Sequence, residues 1–347
     1  MKGSKVVFAL ILIMVVSVWS IKPAFADSPV TSTEFYKAYL DEEIVQTADK
    51  AGGVTKELAE YLADESAPLD IRAAVINAIG WEGERKGRTE AYVQYAYGKE
   101  LSELDLSELR GDELFVIGYL LAMDDYFDTA RAEELLRNAK MSMKDSFTAA
   151  MIHAIVLSQS QMASSWQEVW KIVAAVAFDE RLNMDMRPEA AEIIIDYLVL
   201  YSDKKVINPF SSESRLTLRI GEPTFTLNGE TFEIDPGYGT KPVLREGRAY
   251  LPVRFLAEAV GGTVQWHNNM NKVTVMTART KLELTIGSPK VLVNGEERNL
   301  DSAPFLSGNR TMLPFRFIGE ALGFDVSWNG QTKEIGLTLV QPKTPKG

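Results

Sequence analysis

The stretch Arg248-Ala-Tyr-Leu-Pro-Val-Arg-Phe255 returns 62 residues later as Arg310-Thr-Met-Leu-Pro-Phe-Arg-Phe317. A chain that repeats itself so closely must build one supersecondary unit twice, and this constrains the fold more than any composition does. The repeat extends in both directions. Leu218-Arg-Ile-Gly221 recurs as Leu284-Thr-Ile-Gly287, and Asn228-Gly229 as Asn294-Gly295, each 66 residues on. Glu258-Ala-Val-Gly261 matches Glu320-Ala-Leu-Gly323, and Val264-Gln-Trp266 matches Val326-Ser-Trp328. The change of offset from 66 to 62 places four extra residues in the first copy, near Pro236 to Thr240.

Each copy carries its own local instructions. Thr224 to Leu227 and Thr231 to Ile234 flank Asn228-Gly229, the dipeptide suited to a type I′ turn, which predicts a hairpin. Ala249 to Leu251 reads as a short strand. Pro252 then sets the first turn of a helix running to about Val260, and Gly261-Gly262 ends it. Val264 to Trp266 and Val273 to Thr277 predict a second strand pair. Phe255, Ala259 and Trp266, like Phe317, Ala321 and Trp328, are expected between sheet and helix. The recurring positions Arg248, Pro252, Arg254, Glu258, Gly261 and Trp266, with Arg310, Pro314, Arg316, Glu320, Gly323 and Trp328, read as architectural. Arg254 and Glu258, like Arg316 and Glu320, are four apart on one helix face. A surface pair of that kind contributes only about 0.3–0.5 kcal/mol, so the arginines are expected to tie backbone carbonyls of neighbouring strands to the helix, the alternative being an anion or glycan site.

This doubled pattern, R-x-x-L-P-x-R-F followed by E-A-x-G-x-x-V-x-W, resembles the copper amine oxidase N-terminal (stalk) domain, a module of secreted and surface proteins of Gram-positive bacteria. The resemblance implies a small antiparallel sheet curled around a helix, without catalysis, serving as a stalk or envelope-binding piece. His267 and Asn329 follow the two tryptophans where that family more often has Asp. The copper chemistry in the family's name is not expected here. It needs a cofactor-forming Tyr in an N-Y-[DE] context and three copper-binding histidines, whereas the chain has two histidines, His153 and His267. His267 and Met270 share a turn, but the second copy has Asn329 and Thr332 there, so neither metal nor other cofactor is expected.

Residues 27–201 read differently. Apolar residues recur at helical spacing in Ile71, Ala74, Val75, Ala78, Ile79; in Phe147, Ala150, Met151, Ala154, Ile155; and in Trp166, Val169, Trp170, Val173, Ala174, Ala177. Breaks at Gly52-Gly53, Pro68, Gly80, Gly87, Gly111 and Pro188 predict eight to ten short helices. Pro68 to Gly80 weakly resembles a HEAT second helix, so a hairpin stack and an irregular bundle both fit. The expected fold class is therefore α+β in two domains. An all-α part, 27–201, is followed by a linker of polar and turn-forming residues at 202–214 and a stalk-type part at 215–340, with repeats 218–277 and 284–339. Residues 341–347 form a polar tail.

Residues 1–26 follow the grammar of a secretory signal: Lys2 and Lys5, an apolar run from Val6 to Trp19, and Ala24-Phe25-Ala26 before Asp27. That apolar run is shorter than the roughly 20 residues a membrane span needs, so cleavage at Asp27 and a secreted or cell-wall-associated protein are expected. With no cysteine, disulfides, iron–sulfur clusters and thiolate metal sites are excluded. Residues 27–205 hold 34 Asp and Glu against 18 Lys and Arg, while 206–347 hold 14 against 16. The acidic half repels nucleic acid and anionic lipid.

Carboxylate clusters at Asp41-Glu42-Glu43, Asp124-Asp125, Glu133-Glu134 and Asp179-Glu180 are plentiful, and His153 lies on an apolar stripe. No Walker loop, nucleophile elbow, dinucleotide fingerprint or H-E-x-x-H motif occurs in the sequence. The function that fits best is a non-catalytic binding or scaffold protein, with the stalk part on cell-wall polymer and the helical part on an extracellular protein partner. The main alternative is an extracellular hydrolase or lyase that uses carboxylates of the helical part, which convergent buried carboxylates would favour, and a third reading is a purely structural spacer.

Overall fold

The computed structural model describes residues 28–80, 87–162, 165–179, 181–202, 206–211, 214–277 and 280–339; the expected signal segment and polar tail lie outside them. Among the described residues the first part holds nine α-helices: α1 Glu43–Ala51, α2 Lys56–Ala63, α3 Leu69–Ile79, α4 Arg88–Tyr97, α5 Gly111–Asp124, α6 Ala130–Ser142, α7 Phe147–Gln161, α8 Trp166–Ala177 and α9 Pro188–Leu198. Two of them form the core. In α3 every residue from Arg72 to Ile79 is buried, and in α7 every residue from Phe147 to Val156 is, as expected for helices enclosed on all sides. Ser146 caps α7, its Oγ accepting from Ala149 N at 3.0 Å. Helices α5 and α6 approach closely at Gly118, where a β-carbon would meet Leu136 at 3.0 Å.

The helices close into a bundle rather than a stack. In a solenoid each repeat touches only its neighbours, but here the 3-10 turn Phe35–Tyr39 packs on both α3 and α9. Asn77 joins this turn to the core by accepting from Tyr36 N and donating to Thr33 O, each at 3.0 Å. At the other end Arg187, which precedes α9, pairs with Asp41 and Glu42 and lies over the Tyr39 ring.

The second part contains β1 Arg215–Arg219, β2 Thr224–Leu227, β3 Glu230–Glu233, β4 Val243–Arg245, β5 Arg248–Pro252, α10 Val253–Ala259, β6 Thr263–His267 and β7 Lys272–Met276. Its second copy contains β8 Lys281–Thr285, β9 Lys290–Val293, β10 Glu296–Asn299, β11 Phe305–Ser307, β12 Arg310–Pro314, α11 Phe315–Ala321, β13 Phe324–Asn329 and β14 Glu334–Leu339. The layout is α+β in two parts, as the change of period predicts. Asn228 and Gly229 both take positive φ, at 52° and 88°, and form the expected hairpin turn. The Asn228 side chain also accepts from Arg215 N, as Asn294 accepts from Lys281 N.

Strand pairing crosses the copies, which the repeat alone does not reveal. One sheet runs β13-β14-β1-β2-β3, a second runs β10-β9-β8-β7-β6, and a third runs β11-β12-β5-β4. Each five-stranded sheet takes a three-stranded meander from one copy and a strand pair from the other. A hairpin in isolation is marginal in water, and the exchange gives each one a central strand to pair with.

The 202–214 segment, expected to be a polar linker, is packed where it is described. Val206 to Phe210 are buried. Phe210 meets Phe147 edge to face at 5.5 Å, and Ile207 N donates to Ala259 O at 2.9 Å. Its apolar residues seat against both parts, and burial outweighs the polar letters around them. The parts also meet at Gly261 (φ 69°), where a β-carbon would lie 2.9 Å from Ala174.

Candidate ligand cleft where the two copies meet

Antiparallel pairing of β5 with β12 sets Pro252 opposite Met312. Arg310, two residues further along β12, therefore reaches the start of α10, beside Arg254. An arginine of the second copy thus completes a cleft of the first. The cleft has two adjoining hollows of about 300 and 310 Å³ that share Pro252, Arg254 and Arg310. Volumes of this size are at the lower end of the range for small-ligand sites, about 300–1,000 Å³.

The first hollow is floored by Phe225, Phe232, Phe255 and Ala259 and rimmed by Glu233, Asp235 and Glu258. Its rings are clustered, with Phe225 4.7 Å from Phe255 and 5.6 Å from Phe232. The second is lined by Val253, Val264, Val273 and Trp266, with Leu306, Asn309 and Thr311 from the β11–β12 turn.

The extra residues of the first copy lie beside the cleft and help to brace Arg310. Arg310 Nε donates to Asp235 Oδ2 at 2.6 Å, Thr240 Oγ1 donates to the same oxygen at 2.6 Å, and the Tyr238 ring lies 4.5 Å from the Arg310 guanidinium. Burial would raise the Asp235 carboxyl, but the bonds from Arg310 and Thr240 outweigh it and hold it below the usual carboxylate range. Across the cleft Arg254 pairs with Glu258 at 3.5 Å.

The repeated positions divide between structure and surface. Pro252 and Pro314 precede the two helices, and Gly261 and Gly323 follow them with φ of 69° and 89°. Two expectations need correction. Trp266 and Trp328 do not fill the space between sheet and helix. They are 36% and 38% exposed, because β6 and β13 are edge strands with no neighbouring strand on one side to cover the rings. Arg254 and Arg316 do not tie strands to helices either. Both are exposed, Arg254 beside the cleft with Glu258 and Arg316 near the Phe315 ring, and neither bonds a backbone carbonyl among the described residues. No Arg316–Glu320 ion pair accompanies the Arg254 one among those residues. Arg248 is exposed on β5.

The acidic clusters of the helical part are engaged in holding the fold. Asp124 accepts from Thr89 N and Thr89 Oγ1 at the start of α4, and Asp125 accepts from Phe127 N in a turn. Glu133 bonds His153 Nε2 at 3.0 Å, and Asp179 pairs with Arg181. Buried Arg72 pairs with Asp112 at 3.0 Å. Burial raises the Asp70 carboxyl, and Asp70 accepts from the Tyr39 hydroxyl at 2.9 Å. Trp170 is buried core, and Glu180 lies outside the described residues. No group of three or more His, Asp or Glu suited to a metal occurs among the described residues, where His267 Nε2 instead meets Thr274 Oγ1 at 3.0 Å.

Residues 226–337 match the copper amine oxidase N-terminal domain. The match takes in most of both copies and of the cleft between them, covers about a third of the chain and stops short of the helical part. In copper amine oxidases that domain is non-catalytic. Neither a curated protein nor a solved structure matches the chain.

Proposed function

We propose that the chain is an exported, non-catalytic envelope protein, whose module holds cell-wall material while the acidic helical part meets an extracellular protein partner. The observation that carries this reading is the cleft at the junction of the two copies, a preorganised aromatic and guanidinium-lined surface inside a module of a non-catalytic family. Two others support it. The acidic clusters that a hydrolase reading would draw on supply helix caps, turns and ion pairs, and the first 26 residues carry the pattern of an export signal. The charge of the helical part disfavours nucleic acid.

Co-sedimentation of the purified full chain with washed cell wall tests the reading. Retention in the pellet that saturates with added protein is expected. A chain that stays in the supernatant at every wall concentration would overturn it.

A further inference from the structure

The two copies differ where their equivalent clefts would lie. Phe315 of the second copy packs beside Trp328, ring centroids 6.0 Å apart, and takes up space next to that indole, although the two tryptophans are about equally exposed. The equivalent residue of the first copy is Val253, 62 positions earlier, and the hollow beside Trp266 is open. The floor differs as well, since Phe225 and Phe232 correspond to Val291 and Arg298 at the 66-residue offset. Asp235, which holds Arg310, has a counterpart in Asp301, but Tyr238 and Thr240 of the insertion, which brace that pair, belong to the first copy alone. Three independent differences thus open one cleft of a module that is otherwise built twice.

We infer that this cleft binds two successive rings of a neutral, N-acetylated saccharide, one stacked on Trp266 and one with its acetamido methyl over the Phe225–Phe232–Phe255 floor. The inference rests on the wall-binding reading and deepens it. A pyranose has apolar C–H faces and a polar rim, so it needs an aromatic platform edged by planar hydrogen-bonding groups. Trp266 is the platform, and the guanidinium and carboxylate groups are the edge. Two arginines facing Glu233, Asp235 and Glu258 leave no surplus positive charge, which selects a neutral ligand over a polyanion. An amino-sugar is favoured over a plain hexose because a wholly apolar floor gives a hydroxyl no partner but suits a methyl. Arg310 is held by Asp235 and Tyr238 before any ligand arrives, so little side-chain freedom remains to be lost on binding.

Titration calorimetry of the full chain with N,N′-diacetylchitobiose tests this, with cellobiose as the probe that lacks the acetamido groups. Binding of the first and at least tenfold weaker binding of the second are expected. Trp266→Ala should weaken the first at least tenfold and Trp328→Ala less than twofold, with melting curves confirming that both variants fold. Equal losses in both variants, or equal affinity for the two disaccharides, would overturn the assignment. If the wild type sediments with cell wall but ignores diacetylchitobiose, the saccharide assignment fails and the wall reading stands. If it binds diacetylchitobiose but does not sediment, the assignment stands and the wall reading fails.

Discussion

Leu251 and Leu313 lie directly opposite each other where β5 pairs with β12, and neither is exposed to solvent. They are also equivalent residues of the two copies, so a pseudo-two-fold axis passes between them. Pro252 against Met312 and Pro314 against Tyr250 obey the same relation. The copies are therefore halves of one body. A chain ending at Thr277 leaves β1 without β14 and β7 without β8, and its remaining strands should show no protected amides in hydrogen exchange. Native-like protection of β1, β5 and β7 in that truncation would show that one copy suffices.

Arg72 is buried in α3 with its charge balanced by Asp112, and its Nε has no hydrogen-bond partner among the described residues. Removing one partner of a buried pair strands the other charge. Asp112→Ala should destabilise the chain by about 3–5 kcal/mol, measured by denaturant unfolding. Replacing both residues with apolar ones of similar volume should recover much of that loss.

Phe210, in the segment between the two parts, is buried against Phe147 of the helical part. Phe210→Ala should lower stability by about 3–5 kcal/mol. Limited proteolysis of the wild type should spare Val206 to Phe210, and the variant should be cut there readily. First cleavage of the wild type inside that segment would contradict the packing.

Burial lowers the pKa of His153, and this outweighs the opposing bond from Glu133, with Lys140 and Arg137 adding to the lowering. The folded state then holds its proton less tightly than the unfolded state, whose pKa is about 6.5. The unfolded chain binds more protons between those values, so stability falls as pH drops from about 6.5 through the lower folded value, and it is unaffected above. Thermal melts between pH 8 and 5 should show this loss, and His153→Gln should flatten it. An equal slope in the variant would assign the loss to other groups.

Much of the local structure is legible in the letters. Asn-Gly between alternating strands, Pro at a helix start and Gly at its end each carry a backbone requirement that few other residues meet, and all three sit where expected. Partnership between the copies is not legible, because period two fixes which residues share a face but leaves open which strand lies alongside. The same gap hid the exposure of Trp266, since an indole on a strand reads as core until that strand proves to be an edge. Val206, Ile207 and Phe210 are apolar letters within 202–214, but the surrounding Ser, Asp and Lys give that stretch the composition of a linker. For the cleft, the differences Val253 to Phe315 and Phe232 to Arg298 are plain in an alignment of the copies. They acquire meaning only once β5 and β12 bring Arg310 beside Arg254.

The central claim is that the module, and not the helical part, makes the contact with cell-wall material. Hydrogen exchange of the full chain with and without solubilised cell-wall fragments tests it most directly. Slowed exchange is expected in residues 225–266 and 305–311, with residues 28–202 unchanged. Slowing confined to 28–202 would contradict the account.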